Sequence, residues 1–303
     1  MPELETTQKQ SVKHWDLEDD AAYQAWRADK LARVKKVLDL APVRLSSLAK
    51  PSESETKELR QRCQISNLAI YESGNNGADP AEIRRELLAF SDHMGLFIAE
   101  RHRSAGDYGI VALTPSDAPR QRGYIPYSQR AMNWHTDGYY NAPDQQILAM
   151  VLHCVRPADD GGVNQLMDPE IAYIRLRDEN PDYIAALMAP EAMTIPENRE
   201  PDGSVRPTST GPVFFFDAAG HLAMRYTARS RSIAWRQDAR TQQATRVLLD
   251  ILHSDDPMIL TTRMTAGQGV LCNNVLHNRT GFDPDKTDSS RLLFRIRFHN
   301  RIN

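Results

Sequence analysis

Asn133-Trp134-His135-Thr136-Asp137 is a strand-forming pentapeptide that carries an imidazole and a carboxylate two residues apart. On an extended chain, residues i and i+2 point to the same side. His135 and Asp137 therefore present two ligand atoms in one direction. The surrounding sequence is also strand-rich. Gln146–Val155 is a long apolar run closed by Pro157 and the Gly161-Gly162 turn. Val163–Met167 follows, then a hairpin of Val213–Phe216 and His221–Tyr226 about the turn Asp217–Gly220. Ile259–Met264, Val270–Asn273 and Arg291–His299 read as later strands. Upstream, Asn67–Tyr71, Leu96–Ala99 and Gly109–Leu113 read the same way.

Helices are inserted between these strands. Asp79-Pro80, Asp168-Pro169 and Asn180-Pro181 each pair a capping side chain with proline at the first helical position. They predict helices to about His93, Arg177 and Met188, and Gln237–His253 is a fourth. Pro196–Gly211 reads as loop. The order is not the regular alternation of a doubly wound sheet. The predicted fold class is mainly β with inserted helices, a double-sheet antiparallel barrel or jelly roll whose mouth admits a small ligand. From about Asp16 to Leu40, Tyr23, Trp26, Leu31, Val34 and Leu38 fall near one helical face. Pro42 ends that helix, Leu45–Glu55 reads as a connection, and a short helix covers about Ser54–Gln64. Residues 1–64 are thus expected to form a helical extension, frayed over 1–15, packed on a jelly-roll domain of 65–303.

Composition narrows the function classes. The 303 residues are 41% hydrophobic and 25% charged, with net charge −3, as in a soluble globular protein. With no long basic run, nucleic acid and anionic membrane are not expected partners. The apolar runs are too short to span a bilayer, and the N-terminus has no apolar signal core. Three scattered cysteines, Cys63, Cys154 and Cys272, with no CxxC pair, fit small core thiols in a reducing cytoplasmic setting. A small-molecule substrate is the expected partner. The oligomeric state is left open, a homo-oligomer included.

His277, in Leu276-His277-Asn278-Arg279, is the best candidate for a third ligand. Two His and one carboxylate on one face of an octahedron leave three positions open, the geometry of non-haem Fe(II) oxygenases. The same set could hold Zn²⁺ in a hydrolase, or belong to a non-catalytic jelly-roll binding protein. In Arg291–His299, Leu292, Phe294, Ile296 and Phe298 alternate with Arg291, Leu293, Arg295, Arg297 and His299. The arginine face is either wet or lines a cavity and clamps carboxylates. Tyr124, Tyr127, Tyr139, Tyr140, Arg225, Tyr226 and Trp235 are candidates for a substrate wall or for packing.

The ordered combination of Asn-Trp-His-Thr-Asp, the Gly-Gly turn, Leu-His-Asn-Arg and Arg-x-x-x-Arg on an alternating strand resembles the taurine dioxygenase family of Fe(II)/2-oxoglutarate-dependent oxygenases. The resemblance spans roughly residues 65–303 and is strongest at Asn133–Asp137 and Gly269–Arg295. It implies a double-stranded β-helix and a reaction in which 2-oxoglutarate and O2 are consumed at Fe(II). An unactivated C–H is oxidised, and succinate and CO2 are released. It implies His135, Asp137 and His277 as iron ligands and Arg291 as anchor for the far carboxylate of 2-oxoglutarate. Asn164 falls where the family often has a cosubstrate-touching Thr. Arg295 falls where sulfonate-using members hold the substrate anion. Ala131 replaces an amide that helps hold taurine, and the His277–Arg291 interval is longer, with the excess in the Asp283–Ser290 loop. These departures, with Tyr139 and Tyr140 beside the metal, point to a substrate other than taurine.

Overall fold

The computed structural model describes residues 13–74, 77–100, 109–118, 121, 124–199, 203–283 and 291–303. The expected fraying of 1–15 and the extra length of the Asp283–Ser290 loop lie largely outside these. Helices α1 (Asp20–Leu38) and α2 (Glu53–Ser66) flank strand β1 (Val43–Leu45), and β2 (Leu68–Ser73) and α3 (Pro80–His93) follow. Next come β3 (Val111–Leu113), β4 (Met132–His135), β5 (Ala149–Arg156) and β6 (Asn164–Met167). Helices α4 (Pro169–Glu179) and α5 (Pro181–Leu187) lead into β7 (Met193–Ile195), β8 (Asn198–Arg199), β9 (Val205–Arg206) and β10 (Ser209–Gly211). The chain ends with β11 (Phe214–Phe216), β12 (Leu222–Met224), β13 (Ala234–Trp235), α6 (Ala239–Leu252), β14 (Leu260–Thr262), β15 (Gln268–Cys272), β16 (Leu276–Arg279) and β17 (Leu292–Phe298).

Two sheets make the jelly roll. The larger has the order β1-β2-β15-β5-β17-β3 and the smaller β14-β6-β16-β4. All pairings are antiparallel except β1 with β2. Strand alternation sorts side chains between two cores. Val151, Val155, Leu271, Leu292, Phe294, Ile296 and Phe298 pack with Leu59, Cys63, Leu87 and Phe90 of α2 and α3. Met150, Leu152, Cys154, Val270, Cys272 and Leu293 face the barrel interior with Leu166 of the smaller sheet. A third core gathers α4, α5 and α6 with the inserted strands.

Every residue of β17 is buried. Arg291, Arg295 and Arg297 are 4%, 6% and 3% exposed, so the arginine face lies in the protein and the wet-face alternative is excluded. Three local expectations need correction. The stretch read as a connection from Leu45 begins at the end of β1, an edge strand. Within Pro196–Gly211, Asn198–Arg199 pairs with Val205–Arg206, and β10 pairs with β7. Leu96–Ala99 forms only one bridge, Ala99 to Phe298. The proline-led helix starts hold: Asp79, Asp168 and Asn180 each accept from the backbone N–H of the residue two positions on, just past the proline. Among the described residues, no helix is long and apolar enough to cross a membrane.

Helix α1 is fastened to the barrel by a buried charge cluster. Lys30 Nζ lies 2.7 Å from Asp168 Oδ2 and 2.6 Å from Glu170 Oε2, and it donates to the Ile65 carbonyl. Burial disfavours the ammonium, but the two carboxylates outweigh it and Lys30 stays charged. Asn67, the left-handed cap of α2, donates to Asp168 and accepts from Asn273 and Arg301. Helix α1, the end of α2, the α4 start and the C-terminal tail thus meet at one point.

Two predictions concern the larger sheet. A Cβ on Gly269 would lie 2.2 Å from Tyr71 Cζ and 2.7 Å from the Leu152 carbonyl oxygen. Gly269→Ala is expected to lower stability by about 2 kcal/mol, read as a lower urea midpoint at unchanged slope. His153 is fully buried beside the Tyr71 hydroxyl, and burial holds its pKa down at about 4. The unfolded chain therefore takes up that proton first. The stability contribution is full above pH ~6.5 and is lost as pH falls toward 4, a window worth about 3 kcal/mol. Urea midpoints of His153→Leu should fall less steeply across that window than those of the wild type.

Candidate metal centre

β4 and β16 lie side by side in the smaller sheet, and His135 and His277 are register partners. Their ring centroids are 4.2 Å apart. Asp137 follows at the turn beyond β4. One ligand atom from each of His135, Asp137 and His277 lies within 4.8 Å of the others, and all three residues are buried. His135 Nδ1 is 2.8 Å from the Asn133 carbonyl oxygen, and His277 Nδ1 is 2.9 Å from that of Val275. A carbonyl oxygen only accepts, so each Nδ1 carries the proton and each Nε2 keeps a lone pair. Asp137 Oδ1 accepts from Arg295 Nη1 at 2.9 Å, while the buried Oδ2 has no hydrogen-bond partner among the described residues.

Electrostatics point the same way. Burial, then the neighbouring His277, lower the His135 pKa to about 3, and burial lowers that of His277. Burial pushes the Asp137 carboxyl up, but the Arg295 and Arg297 guanidiniums hold it well below the usual carboxylate range. Two neutral imidazoles with free Nε2 atoms and a carboxylate with one orphaned oxygen form a donor set suited to a divalent cation.

The ligand turn is held from behind. Asn274, in the left-handed region at φ 48°, accepts the Asp137 N–H at 2.8 Å. Its Nδ2 donates to the carbonyls of Asp137 (3.0 Å) and Ile147 (2.7 Å). Thr136 exchanges hydrogen bonds with Tyr226. Arg297 Nη1 donates to the Tyr140 hydroxyl at 3.0 Å and lies 3.7 Å from Asp137 Oδ1, and its Nη2 pairs with Glu100. Asn274, Arg297 and Glu100 were not singled out by sequence. Asn273-Asn274 between two apolar runs signals only a turn, and Arg297 differs from Arg295 only in its distance along the strand.

The other candidate residues divide. Arg291 and Asn164 line a second cavity with Cys154, Gly162, Met264 and Leu293. Gly161, also in its lining, forms an isolated antiparallel bridge with Phe282. A Cβ on Gly161 would sit 2.4 Å from the Gly281 carbonyl oxygen, so glycine is required there. Tyr139 turns its ring edge-on to His135, with centroids 6.4 Å apart, and accepts from Arg229. Tyr140 reaches the centre through Arg297 and through an edge-on contact with Tyr139. Ala131 is exposed, ahead of β4. Tyr127 packs between the sheets, its buried hydroxyl without a partner. Arg225 is a structural tie, donating to the carbonyls of Tyr139, Met193, Gly211 and Ser209. Asn274→Ala should loosen the ligand turn and weaken Fe(II) binding roughly 10–100-fold in an anaerobic chelator competition. An unchanged affinity would show that the turn holds itself.

Comparison with known proteins follows the same line. The family described as "Taurine catabolism dioxygenase TauD, TfdA family" matches residues 79–297. A uridine-5'-phosphate dioxygenase of Amycolatopsis sp is 33% identical over 193 residues, covering 62% of this chain and 66% of the relative. One of Streptomyces sp is 28% identical over 238 residues, 75% and 83% of the two chains. The chain thus spans just under two thirds of the first relative's length. Among solved structures, the non-heme iron oxygenase OrfP in complex with Fe, succinate and (3S)-hydroxy-L-Arg shares the fold. Its TM-score is 0.63 at 13% identity, covering 89% of this chain and 91% of OrfP. The chain belongs to the TauD, TfdA family of dioxygenases.

Proposed function

We propose that this protein is an Fe(II)/2-oxoglutarate-dependent dioxygenase whose substrate is a small phosphorylated molecule of the nucleoside 5'-phosphate class. The observation that carries the reaction class is the donor set itself: two imidazoles with Nδ1 tied down and a carboxylate with one free oxygen. His135, Asp137 and His277 would hold the iron, which supplies the oxidising chemistry when bound together with 2-oxoglutarate and O2. Arg295 fixes Asp137 Oδ1 and leaves Oδ2 for the metal. Arg291 and Asn164 would take the far carboxylate of 2-oxoglutarate in the cavity beside Gly162. His135, Asp137 and His277 are themselves buried, which keeps bulk water from the donor set.

The substrate class is supported by the two uridine-5'-phosphate dioxygenases similar to this chain. It is also supported by Arg295, which spends one donor on Asp137 and keeps a buried Nε without a hydrogen-bond partner among the described residues. A guanidinium with spare donors next to the metal suits an anionic group. Tyr139, Tyr140 and the neighbourhood of Ala131 would form the rest of the substrate wall. We read residues 1–64 as an extension on a dioxygenase domain of 65–303, supported by the Lys30 cluster, with β1 adding an edge to the larger sheet. The three free, buried thiols fit a reducing compartment.

The test is succinate formation with Fe(II), 2-oxoglutarate and a panel of nucleoside 5'-phosphates, free nucleosides, amino acids and sulfonates. Turnover stimulated by a nucleoside 5'-phosphate and not by its nucleoside is expected. Arg295→Met should abolish the stimulation and, because it also removes the bond to Asp137 Oδ1, weaken Fe(II) binding, so it is compared with the wild type at saturating Fe(II). Stimulation by an amino acid or sulfonate alone would refute the substrate class. No succinate under any condition would refute the reaction.

A further inference from the structure

The cavity at the Gly161-Gly162 turn carries a second cation. Arg291 and Arg263 both line it, and none of its lining residues is acidic. Arg263 follows β14, and its Nη2 donates at 2.6 Å to the carbonyl oxygens of both Ala158 and Asp159. Ala158 belongs to the wall that meets Arg291. A Cβ on Gly162 would lie 3.9 Å from Ala158 Cβ and 3.5 Å from Arg291 Nε. The two guanidiniums therefore bracket one turn. Burial pushes the Cys154 thiol up to about 11, and both Arg291 and Arg263 pull against it, as cations acting on one small space do.

Asn164 brings a single donor to this space. One of its Nδ2 hydrogens is committed to the Gly162 carbonyl at 3.3 Å. Among the described residues, Arg263 makes no hydrogen bond through Nε or Nη1, so most of its fork is unspent. A carboxylate has about four acceptor sites and can take two guanidiniums at once.

We propose that Arg263 is a second anchor for the far carboxylate of 2-oxoglutarate, so that the cosubstrate is gripped between an inner guanidinium, Arg291, and an outer one, Arg263. The inference rests on the Fe(II)/2-oxoglutarate reading above. Arg291 is buried and Arg263 exposed. The outer contact is therefore the screened, salt-sensitive half of the grip.

The test is calorimetric titration of 2-oxoglutarate into Mn(II)-loaded protein under argon, followed by steady-state kinetics. Arg263→Gln keeps a donor for the Ala158 and Asp159 carbonyls and removes the charge. It should raise the 2-oxoglutarate Kd and KM about fivefold, with kcat within about twofold and a weaker dependence on NaCl than in the wild type. Arg263→Lys restores the charge and should recover most of the affinity. Unchanged Kd in Arg263→Gln, with or without a lower melting temperature, would overturn the proposal and leave Arg263 as a carbonyl cap. Equal losses in the Gln and Lys variants would overturn it too, since a fork-shaped structural contact then explains both. Wild-type protein that binds no 2-oxoglutarate would refute the reading of the enzyme instead.

Discussion

A strand buried on both faces must place half its side chains inside the barrel, and β17 together with Arg291 just before it places three arginines there. Guanidiniums taken out of water need anionic or carbonyl partners. That need organises the interior. Arg295 takes Asp137 Oδ1, and Arg297 takes Glu100 and Tyr140 while standing second in line for Asp137. Arg291 faces the cavity below. The carboxylate held between them stays ionised in a dry site, with one oxygen engaged and one free. The candidate metal site is the place where Asp137, ionised among these cations, keeps one oxygen uncommitted among the described residues.

Much of this could be read from the chain, and for identifiable reasons. The His135–Asp137 spacing and the β17 alternation are period-2 signals, which survive burial. Proline after Asp or Asn marks helix starts by removing an N–H that has no helical partner anyway. What could not be read depends on contacts distant in sequence. Whether the arginine face was wet or buried is settled only by the smaller sheet closing over it. β1 is too short to show a pattern, and its pairing with β2 is fixed by α2 between them. Asn274 holds the backbone of a residue 137 positions away, and nothing local distinguishes it from an ordinary turn asparagine. Arg225 shows the opposite error: a polar residue near the site in sequence whose donors all go to backbone and Ser209.

The N-terminal helices bear on the site indirectly. The Lys30–Asp168–Glu170 cluster joins α1 to the first turn of α4, directly after β6, the strand that pairs with β16 and its ligand His277. Asn67 connects the same cluster to Asn273, one residue before Asn274. The path from extension to metal turn is therefore short and made of buried polar contacts, which fix position well because each unsatisfied member is costly.

The central claim is that His135, Asp137 and His277 bind one iron that 2-oxoglutarate then chelates. Anaerobic titration with Fe(II), followed by visible absorption on adding 2-oxoglutarate, tests it most directly. The account predicts a single Fe(II) per chain and a new visible band in the wild type, with both lost in Asp137→Ala and in His277→Ala. Wild-type stoichiometry and an unchanged band in folded samples of either variant would contradict it.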